Sequence, residues 1–131
     1  MSILGHGIDL VECDRIARVW DSHGQRFLDR VLTPAEQTRA RQFKNQVPFI
    51  AGRWAAKEAI LKMIGTGWRG RIAWTDMEIL PDGAGQPMVT LRGETKRRAD
   101  QLSIKRIQLS ITHTEQYAAA SAIGTAARAQ G

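Results

Sequence analysis

Between Pro48 and the stop signal Gly65-Thr66-Gly67 lies the segment that most constrains how this chain can fold. At ~100° per residue, Ile50, Trp54, Leu61 and Ile64 form one apolar stripe, and Phe49, Ile60 and Met63 form a second. A helix apolar on most of its circumference has to be buried, so the rest of the chain is expected to wrap around it. On its remaining side Glu58 and Lys62 stand one turn apart. Ala51, Ala55 and Ala59 flank them and leave room above them.

The elements around this helix read as a mixture of strands and shorter helices. Ile3 to Val11 is an apolar run of strand length with β-branched residues. Alternation puts Leu4, His6, Ile8 and Leu10 on one face and Ile3, Gly5, Gly7, Asp9 and Val11 on the other. Asp9 thus follows two glycines on its own face, and strand glycines mark close approach of a ligand or another backbone. Asp14 is placed to cap a short helix that turns Ile16, Val19 and Trp20 inward and Arg15 and Arg18 outward. His23 and Gly24 end it before a second short helix over Gln25 to Val31. Thr33-Pro34-Ala35-Glu36 reads as a capping box with proline at the first helical position, opening a helix to about Lys44.

In the second half, Met77 to Leu80 and Met88 to Leu91 flank a turn-rich connection and predict a hairpin. Glu94 to Leu102 predicts a helix with a Glu94–Arg98 pair. Ile107 to His113 alternates as a half-buried strand. Tyr117 to Ile123 is helical by propensity alone, but a short turn at Thr114 to Gln116 favours a strand paired with the preceding one. The expected fold is α+β: a single domain, residues 1–124, with an antiparallel-rich sheet around a long central helix and a frayed tail over 125–131.

At 131 residues with one cysteine, the chain can build a core without stapling, and Cys13 fits a reducing compartment. The start of the chain is acidic where a secretory leader is basic. The longest uncharged run, Gln116 to Ala127, falls short of the ~20 residues that span a bilayer. A cytoplasmic protein without membrane association is expected. The three histidines are scattered singly and offer no zinc spacing. The net charge of +6 is concentrated between residues 15 and 62, and a basic surface attracts anionic partners.

Two carboxylates are awkwardly placed. Asp9 sits in an apolar strand, where it either caps the next turn, pairs with an arginine or binds a cation. Glu58 either pairs with Lys62 or joins Asp9 on a divalent ion; magnesium favours carboxylate oxygens and keeps waters and phosphates as its other ligands. Lys57 reads as a solvated helix lysine, and His113 as a structural residue or a substrate contact beside Ser110 and Thr112. Arg69, Arg71, Trp68 and Trp74 offer a small basic and aromatic set, so a non-catalytic nucleic-acid-binding module is the alternative function, although no nucleic-acid motif is present.

Four blocks follow one another in order: Gly5-His6-Gly7-Ile8-Asp9-Leu10-Val11-Glu12; Phe49 through Ala59 with Lys62 and Gly65-Thr66-Gly67; Trp74 through Ile79 followed by Gly85-Gln86-Pro87; and Leu109 through His113 before Tyr117-Ala118. Together they resemble the holo-[acyl-carrier-protein] synthases, the short phosphopantetheinyl transferases. The resemblance implies transfer of 4′-phosphopantetheine from coenzyme A to a serine of apo-acyl carrier protein, in fatty acid biosynthesis. It implies Mg²⁺ held by Asp9 and Glu58, and Lys62 at the leaving pyrophosphate oxygen. Arg53, Gly65, Gly67, Ser110 and His113 are then the remaining coenzyme A contacts. It also implies a homotrimer with its clefts between subunits. An acidic carrier protein would dock on Arg15, Arg18, Arg26 and Arg30 around Phe27, and nucleic acid is not an expected partner. His6 departs from the resemblance, since relatives usually have an apolar or small residue there.

Overall fold

Strand β1 (Ile3–Glu12) leads directly into helix α1 (Cys13–His23), followed by α2 (Gln25–Val31), α3 (Pro34–Ala40) and the central α4 (Val47–Ile64). A 3₁₀ turn at Trp74–Asp76 precedes the hairpin β2 (Met77–Pro81) and β3 (Pro87–Leu91). Helix α5 (Gly93–Gln101) and strands β4 (Arg106–His113) and β5 (Tyr117–Thr125) complete the chain. This computed structural model describes residues 2–65 and 72–126. The expected tail beyond Ala126 lies outside the described residues, and β5 continues through Thr125.

The fold is α+β with antiparallel sheets, as expected. One sheet has the order β1-β5-β4, all antiparallel, and β2-β3 forms a separate hairpin. The alanine-rich segment over residues 117–123 is a strand, because its alternate residues Ala118, Ala120 and Ala122 bury themselves beneath α4 and tertiary packing outweighs helix propensity.

Small residues on both sides let α4 lie directly on this sheet. A Cβ added at Gly7 would stand 1.9 Å from the Ala59 carbonyl oxygen, and one at Gly5 would stand 2.4 Å from that of Met63. The close approach marked by these glycines is therefore that of the α4 backbone. Ile50, Ala51, Ala55, Ala59, Ile60 and Leu61 are wholly buried, as a helix apolar on nearly all sides requires. The opposite sheet face is uncovered within one chain: Leu4, Ile8 and Leu10 are exposed there, around a His6 Nε2 to Ser121 Oγ hydrogen bond of 3.2 Å.

Several local expectations differ in detail. The capping box at Thr33 forms with both hydrogen bonds, but α3 ends at Ala40, before Lys44. Asp14 lies inside the first turn of α1 instead of capping it; Glu12 occupies the cap position without a side-chain bond. Glu94 pairs with Arg97 at 2.7 Å, while Arg98 donates to the Ile64 carbonyl at 3.4 Å. Lys57 is wholly buried, where a solvated lysine was expected, because Glu36 lies buried within reach of it.

The helix contact makes a direct prediction. Gly7→Ala should cost about 3 kcal/mol in chemical denaturation, since the α4 backbone cannot yield. Gly83→Ala, where an added Cβ meets open space, should change stability by less than about 0.5 kcal/mol. Equal costs at both positions would contradict the packing described.

Candidate active site

Asp9 and Glu58 come from the two elements brought together by the glycine contact. Asp9 is on the helix-facing side of β1, two residues after Gly7 and opposite Ala120 of β5. Glu58 precedes Ala59, whose carbonyl covers Gly7. Lys62 Nζ donates to the Ile8 carbonyl and to Asp9 Oδ1, both at 3.1 Å. The ion pair on this side of α4 is therefore Lys62 with Asp9, across two elements, and not the Glu58–Lys62 pair that sequence spacing allows.

Glu58 carries the electrostatic consequence. Burial raises its pKa above the usual carboxylate range, the nearby charge of Asp9 adds to that rise, and Lys62 and Arg15 offset only part of it. Glu58 thus stands beside the like charge of Asp9 with only partial compensation from Lys62 and Arg15. Among the described residues there is no group of three or more His, Cys, Asp and Glu that could hold a metal. A pair of carboxylates without further protein ligands suits a hard cation that takes its remaining ligands from water and phosphate, which is the preference of magnesium and not of zinc.

A cleft of about 510 Å³ reaches Glu58 from the side of α1 and α2. Its wall is an aromatic stack, with Phe27 6.1 Å from Trp54 and Trp54 4.5 Å from Trp74 between ring centroids. His23, Arg26 and Arg30 also line it. Phe27 is buried in this wall and is not an exposed knob among the arginines. Arg15 and Arg18 lie on the exposed side of α1, and Arg15 is near enough to act on Glu58.

A second cleft, of about 530 Å³, contains Arg53, Ser110 and His113. Arg53 Nε donates to the Ile79 carbonyl at 3.1 Å, and its guanidinium lies 4.4 Å from the Phe49 ring centroid. Arg39 lies 5.7 Å from the centroid of Phe43, which itself stacks on Phe49 at 5.3 Å. Burial lowers the pKa of Arg53; Glu36 opposes this and Arg39 reinforces it. Two guanidinium groups on two stacked rings, one of them desolvated, concentrate positive charge in this cleft. Arg39, Phe43 and Phe49 were not among the expected site residues. The interleaving of basic and aromatic residues between positions 39 and 49 was their sequence signal.

Within one chain the two halves remain apart. Asp9 lies on one outer strand of the sheet and Ser110 and His113 on the other, with β5 between them. Glu58 lines the first cleft and Arg53 the second. Gly65 ends α4 at φ 77°, a left-handed conformation suited to glycine, with its N–H on the Leu61 and Lys62 carbonyls. Gly67 lies outside the described residues, as do Trp68, Arg69 and Arg71 of the nucleic-acid alternative. Trp74 is buried against Trp54 and presents no exposed stacking face.

The family model described as the 4′-phosphopantetheinyl transferase superfamily matches residues 5–122. The chain belongs to that superfamily. It is 46% identical to a holo-[acyl-carrier-protein] synthase of Koribacter versatilis, covering 92% of this chain and 97% of the relative. The crystal structure of the Neisseria meningitidis holo-[acyl-carrier-protein] synthase superposes with a TM-score of 0.86 at 33% identity, covering 95% of this chain and 99% of that one. The Bacillus anthracis enzyme in complex with CoA (3′,5′-ADP) superposes with a TM-score of 0.77, also at 33% identity, over 93% and 96% of the two chains. The match is to transferases, and the nucleic-acid-binding alternative finds no support in it.

The strained state of Glu58 is measurable without substrate. A raised carboxylate pKa means that the native protein holds this proton more tightly than the unfolded chain does. The cost to stability is thus present at neutral pH and fades as pH falls through the raised value. In metal-free protein Glu58→Gln should raise the melting temperature at pH 7, and the difference should shrink on acidification toward the ordinary carboxylate range. A variant less stable than the parent at pH 7 would contradict this.

Proposed function

We propose that this chain is a holo-[acyl-carrier-protein] synthase. It moves 4′-phosphopantetheine from coenzyme A to a serine hydroxyl of apo-acyl carrier protein and releases adenosine 3′,5′-bisphosphate, a step that supplies fatty acid biosynthesis with its active carrier. The observation that carries this reading is the Asp9–Glu58 pair with Lys62 beside it, in a chain so similar to synthases of that name.

In the transfer, the serine oxygen forms a bond to the phosphorus that bears pantetheine, and the bond from that phosphorus to the bridging pyrophosphate oxygen breaks. The serine proton leaves to a base, and the electron pair of the broken bond goes to adenosine 3′,5′-bisphosphate. Asp9 and Glu58 are the residues to hold Mg²⁺, which when bound supplies positive charge to the pyrophosphate and the leaving oxygen. Lys62, half-exposed beside Asp9, brings a mobile ammonium to that same oxygen and stabilises or protonates it. Arg53 and His113, with Ser110, bind the nucleotide end of coenzyme A, where the guanidinium groups of Arg39 and Arg53, laid on the phenylalanine rings, offer donors to phosphate.

Since one chain keeps the carboxylates and the arginine cleft at opposite ends of its sheet, the site is completed by a second copy. A head-to-tail contact forms a ring when its rotation closes; the homotrimer that the family resemblance implies is such a ring, and the uncovered Leu4, Ile8 and Leu10 face is available to neighbouring subunits. The acidic carrier approaches the exposed Arg15, Arg18, Arg26 and Arg30 beside the cleft that ends at Glu58. Cys13 is buried, its thiol pKa raised by burial and by Asp14, which suits a reducing, cytoplasmic setting. No described helix is long and apolar enough to cross a membrane.

Incubation with apo-carrier protein, coenzyme A and Mg²⁺ should add one phosphopantetheine to the carrier, read by mass spectrometry. Asp9→Asn and Glu58→Gln should each lower kcat by about 100-fold or more while remaining folded. No mass gain on any carrier with folded protein would overturn the reading. The shared site is tested separately by coexpressing Asp9→Asn with Arg53→Ala. Random mixing leaves about a quarter of the interfaces intact, so activity should return in the mixture, whereas a site within one chain would stay inactive. Charge reversal at Arg26 and Arg30 should raise the carrier KM most at low salt, because exposed charges are screened over ~8 Å at physiological ionic strength.

A further inference from the structure

Lys57 follows Arg53 by one helical turn and immediately precedes Glu58, yet it takes no part in either cleft. It is wholly buried, as is Glu36, and its Nζ donates to Glu36 Oε1 at 2.7 Å and to the Val31 carbonyl at 2.6 Å. Glu36 Oε1 also accepts from the Thr33 N–H at 2.9 Å, and Oε2 accepts from the Ile79 N–H at 2.8 Å. One ammonium and one carboxylate therefore join the end of α2, the start of α3, strand β2 and the middle of α4.

Two partners in this knot lead directly to the walls of the clefts. Val31 lines the cleft that reaches Glu58 and is the neighbour of Arg30. Ile79 donates its N–H to Glu36 and accepts Arg53 Nε on its carbonyl. Lys57 and Glu58 are adjacent on the helix, so anchoring Lys57 inward sets the direction in which Glu58 projects. A buried ion pair is poor evidence for stability, since neutral replacements of similar shape often hold a fold equally well. The siting of this one points to geometry.

We propose that Lys57 and Glu36 are positioning residues for phosphopantetheine transfer, holding α2 and β2 against α4 so that Glu58 keeps its direction in the first cleft and Arg53 its place in the second, each for the shared site it serves. The inference rests on the transferase reading. It adds two residues that touch neither substrate nor reacting atoms but act through Glu58 and Arg53.

The test compares the parent with Lys57→Met/Glu36→Gln, which removes both charges together, and with Glu36→Gln alone. Three quantities are read on folded protein: melting temperature, kcat and KM per coenzyme A-binding site, and the affinity of coenzyme A-free protein for Mn²⁺ by electron paramagnetic resonance. The paired variant should keep a cooperative transition. It should lose kcat by about 10- to 100-fold, with a smaller change in the coenzyme A KM, because small misplacements of reacting groups are that costly. Its Mn²⁺ affinity should fall about 10-fold, as for outer partners of metal ligands. A folded variant with kcat and Mn²⁺ affinity within about twofold of the parent would reduce the pair to a structural role and overturn the inference. If the paired variant does not fold, Glu36→Gln, which leaves Lys57 bonded to the Val31 carbonyl, is judged by the same criteria. A parent that transfers nothing, while its variant still loses Mn²⁺ affinity, would overturn the transferase reading and leave the pair as positioning residues for Glu58 alone.

Discussion

The van der Waals contact between the α4 backbone and the glycine and alanine face of the β1-β5-β4 sheet is the constraint on which the rest of the structure depends. Gly5 and Gly7 admit the carbonyls of Met63 and Ala59, and β5 supplies Ala118, Ala120, Ala122 and Gly124 alongside them. Side chains at these positions would lift the helix away from the sheet. Because the approach is this close, Asp9 on the strand and Glu58 on the helix sense one another, and Lys62 can cross from α4 to the Asp9 carboxylate. The metal-binding geometry proposed here is thus a consequence of packing between small residues.

The distribution of charge follows from the same arrangement. The central helix separates a carboxylate side from an arginine side, and Lys57 between them is turned inward and neutralised by Glu36. Burial and like charge leave each side electrostatically unsatisfied, one short of cations and the other short of anions. The proposed substrate, which bears phosphates, and a divalent ion would answer both deficits. Much of the basic excess of the chain is therefore divided between the cleft that holds Arg39 and Arg53 and the exposed arginines of α1 and α2.

Much of this was legible from local patterns. The capping box at Thr33, the alternation of β4, the all-round apolarity of α4 and the odd position of Asp9 on a glycine face each have a physical meaning at short range, and each is found as read. The misreadings share a cause. Lys57 resembled any helix lysine, because the carboxylate that draws it inward is far away in sequence. Glu58 and Lys62 are correctly spaced for a pair, but a carboxylate on another element competes for the lysine. Phe27 was expected on a docking surface and lies in a wall, because Trp54 is there to receive it.

By itself, then, the amino-acid sequence determined most of the elements, the antiparallel α+β class, the central helix, and the acidic pair and basic excess. Periodicity, capping and turn signals act over a few residues and are written directly in the order of the chain. Only the tertiary structure decided which charges meet: Lys62 with Asp9, Lys57 with Glu36, and Arg53 apart from Glu58 on the far side of α4. Those choices depend on distance and desolvation between groups remote in sequence, and neither quantity exists until the helix has settled onto the sheet.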